Sequence, residues 1–154
     1  MSFDFNADEV FEIAEQIERN GSEFYRKAAE NMSGPKEKEF LIHLAEMEDE
    51  HEKTFKKMRA ELTQDEKIIT TFDPYGDAEK YLKALADTRV FYEKPIDTTS
   101  MEEIFKAAIT AEKDSIVFYL GMKEIVPEQL GKAKLDEIIR EETVSYTHLR
   151  AHET

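Results

Sequence analysis

Cysteine is absent from this sequence of 154 residues. Its absence excludes disulfides, thiolate nucleophiles, zinc knuckles and cysteine-ligated iron–sulfur clusters. Any metal ion that the chain binds must therefore be held by oxygen and imidazole ligands. The sequence also has no apolar run of about 18 residues, and its first ten residues, MSFDFNADEV, show no signal-peptide pattern. We therefore expect a cytoplasmic protein with no membrane partner.

Basic residues are scarce relative to acidic ones. Lys and Arg number 21 against 35 Asp and Glu, so the formal net charge is −14. Binding to nucleic acid needs a basic surface that contacts phosphates, and we therefore expect no nucleic-acid partner. Small cations are the natural counter-charge. The chain length suits one domain with one hydrophobic core.

Helix-start signals occur at four places. Asn6 and Ser100 each precede a glutamate by three residues, which is the spacing of a capping box. Pro35 follows a glycine stop, and Pro127 follows another apolar helix-like segment, so each is suited to a first helical turn. These signals predict four helices.

A long segment separates the second predicted helix from the third. Turn signals in FDPYGD and EKPIDTTS flank a short helix-like run, DAEKYLKALADTRVF. A connection of this length can run back along a bundle, because each helix residue advances only about 1.5 Å. We predict an all-α four-helix bundle in one domain, 1–154. A first antiparallel pair (1–63) is joined to a second (101–142) by a crossover (64–100) that contains a short helix.

The two halves of the chain resemble each other at an offset of 94 residues, the separation of Glu18 and Glu112. Eight positions match without a gap. The first-half residues are Glu9, Phe11, Ala14, Glu18, Phe24, Tyr25, Leu41 and Glu48, and their second-half partners are Glu103, Phe105, Ala108, Glu112, Phe118, Tyr119, Leu135 and Glu142.

Each predicted helix has one glutamate in the middle of its apolar stripe. In the second helix the stripe steps by three and four residues, and Glu48 and His51 occupy its centre. Glu18, Glu112 and Glu142 have the same place in the other three helices. Four buried carboxylates at one level repel one another and are costly to ionise, and bound cations resolve both problems. Glu48 and His51 are three residues apart and can reach the same ion.

Other interpretations of these residues stay open. A single glutamate in a stripe can lie at its edge and extend to water. The acidic residues beside Glu48 fall off the stripe and are predicted to form a solvated face, as is His43; they are Glu46, Asp49, Glu50 and Glu52. Tyr25 and Tyr119 are either ordinary core aromatics or outer partners that hydrogen-bond a ligand carboxylate.

Carboxylates with one or two imidazoles suit iron or manganese. One glutamate from each of two helices, with Glu-x-x-His from each of the other two, is the ligand set of dinuclear carboxylate sites in four-helix bundles. We therefore predict two iron ions, with manganese as the alternative metal. Such a pair could share a two-electron reduction of dioxygen or peroxide.

The same residues resemble a known family. AEQIERNGSEFY, LAEMEDEH, AITAEKDSIVFY and LDEIIREE are similar to the four helix motifs of the rubrerythrin-type ferritin-like di-iron proteins, and the resemblance extends nearly to Glu142. It implies a ferritin-like bundle. It also implies iron ligation by Glu18, Glu48, His51, Glu112 and Glu142, with Tyr25 and Tyr119 bonded to ligand glutamates.

The resemblance implies reduction of hydrogen peroxide with electrons that come from NAD(P)H through a donor. Two departures limit it. A rubredoxin domain needs cysteines that this chain lacks, so the electron donor would be another protein. The extra carboxylate that rubrerythrins place three residues after the third-helix glutamate is Ser115 here, which weakens the peroxidase expectation.

The end of the chain departs from the pattern in a third way. The repeat maps His51 onto Ser145, so the second Glu-x-x-His is broken, and His148 and His152 are poorly spaced to replace it. The run VSYTHLRAHET resembles a translated sequencing-adapter peptide. We interpret 143–154 as a non-native tail, in which case the natural protein would have histidine at position 145. The alternative is a true variant with an asymmetric site.

Three functions follow from these residues. The leading hypothesis is an oxidoreductase that reduces peroxide or dioxygen with an external donor protein. The second is a ferrous-iron oxidase or an iron-binding protein. The third is a helical interaction module, without enzymatic activity, whose core glutamates are protonated or paired with lysines. Ferritin-like bundles often dimerise, so a homodimer is a candidate assembly, but nothing in the sequence singles out its interface.

Overall fold

The computed structural model of the protein describes residues 3–62, 70–73, 100–125 and 132–153. The helices in these ranges are α1 (Ala7–Glu30), α2 (Pro35–Ala60), α3 (Met101–Ile125) and α4 (Lys132–Glu153). The predicted starts of α1, α2 and α3 are confirmed. At Ser100 the hydroxyl accepts a hydrogen bond of 3.3 Å from the backbone N–H of Glu103, which is one half of the expected capping box.

The first two helices form an antiparallel pair that is closed by the short turn at residues 31–34. Side-chain pairs fix the register between them. Arg59 near the end of α2 bonds to Asp8 and Glu15 of α1 at 2.7 and 3.0 Å, and Arg19 of α1 bonds to Glu52 at 2.9 to 3.0 Å. The middle of α1 therefore lies beside the middle of α2.

The core consists of the apolar stripes that the four helices turn toward one another. Burial of these side chains is the main favourable term for a bundle of this size. The largest fully buried apolar side chains come from all four helices; they are Tyr25, Tyr119, Phe11, Phe55, Phe118, Leu41, Ile104, Met122, Leu135 and Leu149. The all-α four-helix bundle is confirmed.

A short antiparallel ribbon adds to this architecture. Strand β1 (Phe3–Asn6) pairs with β2 (Thr70–Asp73) so that Phe3 lies opposite Asp73 and Asn6 opposite Thr70. The strand β2 belongs to the predicted crossover. Neither strand was predicted from the sequence pattern.

Several predictions lie outside the described residues. They are the short helix in the crossover, the rest of 64–100 apart from β2 and Ser100, and the helix start at Pro127. The division of the chain into segments also stays a prediction. In α4 the helix continues past Thr143, and its buried stripe continues to Ser145 and Leu149, so the periodicity does not break there. None of the described helices is long and apolar enough to span a membrane.

Candidate metal centre

Each of the four helices places one glutamate in the middle of its buried face. Helical periodicity explains this, because residues three and four apart share a face. In α2 the buried series runs Leu41, Leu44, Glu48, His51, Phe55 and Met58. The side chains of Glu18, Glu48, Glu112 and Glu142 are all fully buried, at 0% relative exposure. The prediction that these four glutamates face inward is confirmed.

His51 lies among these carboxylates. Its Nδ1 atom is 2.9 Å from Oε1 of Glu142 and 3.5 Å from Oε2 of Glu18, so this ring nitrogen faces the centre of the bundle. Glu48 is one turn earlier in α2. The ligand-type atoms of Glu18, Glu48, His51 and Glu142 all lie within 4.8 Å of one another. A single ion could therefore contact donors from three helices.

Glu112 of α3 lies beside this group of four. Its carboxylate interacts with those of Glu142 and Glu48, and its Oε1 accepts a hydrogen bond of 2.6 Å from the hydroxyl of Tyr25. All five predicted ligand side chains are thus brought together at one level of the bundle. Their role as metal ligands stays a prediction.

The two buried tyrosines link the first half of the chain to the second. Tyr25 of α1 donates to Glu112 of α3, and Tyr119 of α3 donates to Oε1 of Glu18 on α1 at 2.5 Å. The two bonds are reciprocal, as the internal repeat requires. Tyr119 also packs against Phe55, with ring centroids 5.3 Å apart. The prediction that these tyrosines hydrogen-bond core glutamates is confirmed.

Much of the hydrogen-bonding capacity of this cluster is unused. Within the described part of the chain, five buried carboxylate oxygens have no hydrogen-bond donor: Glu18 Oε2, Glu48 Oε1, Glu48 Oε2, Glu112 Oε2 and Glu142 Oε2. A buried polar atom without a partner costs roughly 1 to 3 kcal/mol, and more when it is charged. The unpartnered oxygens and the imidazole nitrogen are a donor set that fits iron or manganese.

The electrostatics of the cluster agree with this interpretation. Burial raises the pKa of Glu48 well above its usual range, and the charges of Glu142 and Glu18 raise it further. Burial and the charge of Glu142 do the same to the pKa of Glu112, and burial with the charge of Glu18 raises the pKa of Glu142. Burial and mutual repulsion therefore favour the protonated form of these three carboxyl groups.

The pKa of His51 is shifted in the opposite sense to that of an isolated buried histidine. Burial alone lowers this pKa, but the charge of Glu18 and the hydrogen bond to Glu142 outweigh it and raise the pKa to about 12. Burial and the adjacent carboxylates raise the pKa of Tyr25 and of Tyr119 well above 10, so both phenols keep their donor proton. His51 is the strongest counter-charge that the described residues offer the glutamates, since no buried lysine or arginine lies among them.

The predicted solvated face is correct only in part. His43, Glu46 and Glu50 are exposed. Asp49 and Glu52 are partly buried and pair with arginines of α1, Asp49 with Arg26 at 2.5 Å and Glu52 with Arg19 at 2.9 Å. The prediction was wrong for these two because it treated α2 in isolation, and the pairing arginines come from a neighbouring helix.

Two serines occupy positions where the resemblance leads one to expect ligands. Ser115 is fully buried, and its hydroxyl donates to the backbone carbonyl of Ala111 at 2.9 Å. Ser145 is 3% exposed and donates to the carbonyl of Glu141 at 3.1 Å. Both hydroxyls are thus bonded to their own helices. His148 is exposed, which agrees with the prediction that it is poorly spaced to replace the missing histidine. Whether 143–154 is native stays a prediction.

Glu141 is a residue of the site that sequence reasoning missed. Its Oε2 atom lies 2.5 Å from Nε2 of His51, on the side of the ring away from the glutamate cluster. The side chain is 46% exposed. A carboxylate on the outer nitrogen of a metal-binding histidine fixes the ring orientation and the tautomer. The signal available in the sequence was only its place directly before Glu142.

A comparison with solved structures supports the fold. No family model and no curated protein matches the sequence significantly. The structure is similar to the crystal structure of a candidate ferritin-like diiron-carboxylate protein from Thermotoga maritima, with a TM-score of 0.71 and 24% sequence identity. The alignment covers 97% of this chain and 95% of that one. The chain therefore has a ferritin-like four-helix fold.

Proposed function

We propose that this chain is a di-iron carboxylate oxidoreductase that reduces hydrogen peroxide or dioxygen with electrons from an external donor protein. The observation that carries the proposal is the set of buried, unpartnered carboxylate oxygens around His51. Carboxylates without donors in a low-dielectric core would be strongly unfavourable unless cations neutralise them. The similarity to a candidate diiron-carboxylate protein supports the choice of metal.

The residues that would hold the metal ions are Glu18, Glu48, His51, Glu112 and Glu142. Bound iron would supply a two-electron redox couple, with manganese as the alternative metal. Reduction of one hydrogen peroxide molecule to two water molecules consumes two electrons and two protons. The donor protein supplies the electrons, because the chain has no cysteine for a rubredoxin-type centre of its own.

The protein contributes orientation and water exclusion. Tyr25 and Tyr119 each hold one oxygen of a glutamate, which leaves the second oxygen of Glu112 and of Glu18 free to bind an ion. Glu141 holds His51 so that Nδ1 faces the cluster. The ring of Phe55 covers Tyr119 and keeps that side of the centre apolar. Buried carboxylates that are held in place need little rearrangement during turnover.

The test is a single-turnover experiment on protein loaded with ferrous iron in the absence of oxygen. One equivalent of peroxide is added, and the ferrous iron that remains is measured with a ferrous-specific chelator. We expect two ferrous ions to be oxidised per peroxide consumed. The variant Glu48→Gln should lose this reaction, and Glu46→Gln, which alters an exposed side chain of the same helix, should keep it.

A second experiment, which measures turnover with each oxidant, separates peroxide reduction from ferrous-iron oxidation. Turnover that is faster with excess ferrous iron and dioxygen than with peroxide and a reductant would replace the proposed reaction with the ferrous oxidase. Iron that stays ferrous with both oxidants would contradict both. We also propose a cytoplasmic location and a homodimer, and sedimentation of the purified protein tests the latter.

A further inference from the structure

The candidate metal centre has approximate twofold symmetry, which the internal repeat imposes. Residues that are 94 positions apart make matching contacts. The matched pairs are Glu18 with Glu112, Glu48 with Glu142, and Tyr25 with Tyr119. Among the residues of the site, the symmetry fails at the equivalent positions His51 and Ser145.

The asymmetry also includes the residue whose carboxylate bonds to the outer nitrogen of His51. His51 contacts Glu141, and the position equivalent to Glu141 in the first half is Met47. The geometry is retained, because the hydroxyl of Ser145 points at Met47 with Oγ 3.7 Å from Sδ. A histidine with a carboxylate partner in one half is thus replaced by a serine with a thioether partner in the other. Met47 lies in α2, so the loss of the carboxylate partner does not depend on whether 143–154 is native, whereas the loss of the histidine concerns Ser145 within that segment.

Ser145 does not replace the missing ligand. Its hydroxyl contacts the backbone carbonyl of Glu141 and the sulfur of Met47. Among the described residues, the side of the centre that includes Glu112 therefore has carboxylate donors only, from Glu112 itself and from Glu48 and Glu142 beside it. The opposite side has the imidazole in addition to carboxylates.

We propose that the two metal positions of this centre are unequal. The position at His51 fills first and holds its ion. The position at Glu112 binds at least about tenfold more weakly, because outer-shell support of a histidine alone is worth roughly 10- to 100-fold in metal affinity and here the histidine is missing as well. The inference rests on the proposed dinuclear function and concerns its loading.

The ligand chemistry also separates the metals that the two positions prefer. Imidazole suits iron and other transition metals and is a poor ligand for Mg²⁺, whereas a site built only from carboxylates also suits Mg²⁺. Excess Mg²⁺ therefore competes at the Glu112 position and leaves the ion beside His51 in place. The free concentration of the metal that binds at the Glu112 position then sets the fraction of the protein that holds two ions. Only this fraction can deliver two electrons at once.

The test is a titration of metal-free protein with Mn²⁺, followed by electron paramagnetic resonance and by equilibrium dialysis. The first equivalent should give the spectrum of an isolated Mn²⁺. Spin coupling between two ions should develop only at about tenfold higher free Mn²⁺ or above. Excess Mg²⁺ should abolish the coupling without releasing the first ion.

A paired substitution tests the cause. Ser145→His combined with Met47→Glu rebuilds the histidine and its carboxylate partner in the second half, and it should tighten the second binding step by roughly 10- to 100-fold. Ser145→Ala is the matched control. It removes a hydroxyl that does not face the carboxylates, so both binding steps should stay as they are in the wild type.

The outcomes are separable. Two ions bound by the wild type with equal affinity overturn the inference and leave the proposed metal centre intact, as does a folded double variant that titrates like the wild type. The wild-type titration decides the question even if the double variant does not fold. Wild-type protein that binds no Mn²⁺ and no Fe²⁺ overturns the proposed function itself, and the inference with it.

Discussion

The hydroxyl of Tyr119 on α3 donates a hydrogen bond of 2.5 Å to Oε1 of Glu18 on α1, although the two residues are 101 positions apart in the sequence. This bond joins the two helix pairs at the level of the glutamate cluster. It also leaves Oε2 of Glu18 as the oxygen that faces the cluster without a donor. A buried phenol thus selects which oxygen of a glutamate remains free to bind an ion.

The variant Tyr119→Phe removes this donor and leaves a second oxygen of Glu18 buried without a partner. We expect the free energy of unfolding of the metal-free protein to fall by about 1 to 3 kcal/mol. Metal affinity should fall roughly 10- to 100-fold, since the phenol supports a ligand. Urea unfolding and metal titration measure the two effects. Tyr146→Phe, at a partly exposed position of α4, should change neither, and similar behaviour of the two variants would contradict the prediction.

The variant Glu48→Gln should separate stability from metal binding. Both carboxylate oxygens of Glu48 are buried without donors, and burial raises the pKa of this group. A neutral amide of nearly the same shape removes the cost of charging it. We expect the metal-free variant to be at least as stable as the wild type, while the stabilisation by added iron is lost. Thermal unfolding with and without iron measures both. A clear loss of stability without metal would contradict this account.

The stability of the metal-free protein should fall as the pH rises from about 5 to 8. The pKa values of Glu48, Glu112 and Glu142 are raised in the folded protein, so above about pH 4.3 the unfolded chain releases protons that the folded protein retains. His51 acts in the same direction. Its pKa is about 12 in the folded protein, so the stability that it contributes is complete below its unfolded pKa near 6.5 and declines above it.

Urea unfolding in the presence of a chelator measures this pH dependence. The control is Glu48→Gln, which removes one titrating group and should flatten the slope. Net negative charge also disfavours the folded state at high pH, and the difference between the two slopes isolates the contribution of Glu48. A wild-type stability that rises with pH over this range, or slopes that coincide, would count against the assigned shifts.

Glu141 should act on metal affinity through His51. The variant Glu141→Ala removes the carboxylate from Nε2 of His51 and is expected to weaken the first metal-binding step roughly 10- to 100-fold. Its effect on unfolding should be small, because the side chain is about half exposed. Glu137→Ala, one turn earlier on an exposed part of α4, is the control. Equal affinities for the two variants would show that Glu141 does not position the histidine.

Much of this site could be predicted because it follows the helical repeat. A spacing of three and four residues places Glu48 and His51 on the buried face of α2, and the offset of 94 residues assigns Glu112 to the same level as Glu18. The first signal is found within one helix, and the second is found by comparing the two halves of the sequence. They therefore need no knowledge of how the helices pack.

The features that could not be predicted depend on contacts between segments that are distant in the sequence. Periodicity marks Tyr25 as buried, but only the packing of α1 against α3 shows that its partner is Glu112. Glu141 falls outside the buried stripe of its own helix and still reaches His51 from the rim of the bundle. The ribbon between β1 and β2 joins residues more than sixty positions apart. Such pairings depend on tertiary context more than on local propensity.

The central claim is that four buried glutamates and His51 hold metal ions, and metal analysis tests it most directly. Wild-type protein is dialysed to equilibrium against excess ferrous iron without oxygen, and iron per chain is measured beside Glu48→Gln and Glu46→Gln. The account predicts about two irons per chain for the wild type and Glu46→Gln, and a substantial loss for Glu48→Gln. Less than about one iron per wild-type chain, with the same value for Glu48→Gln, would contradict it.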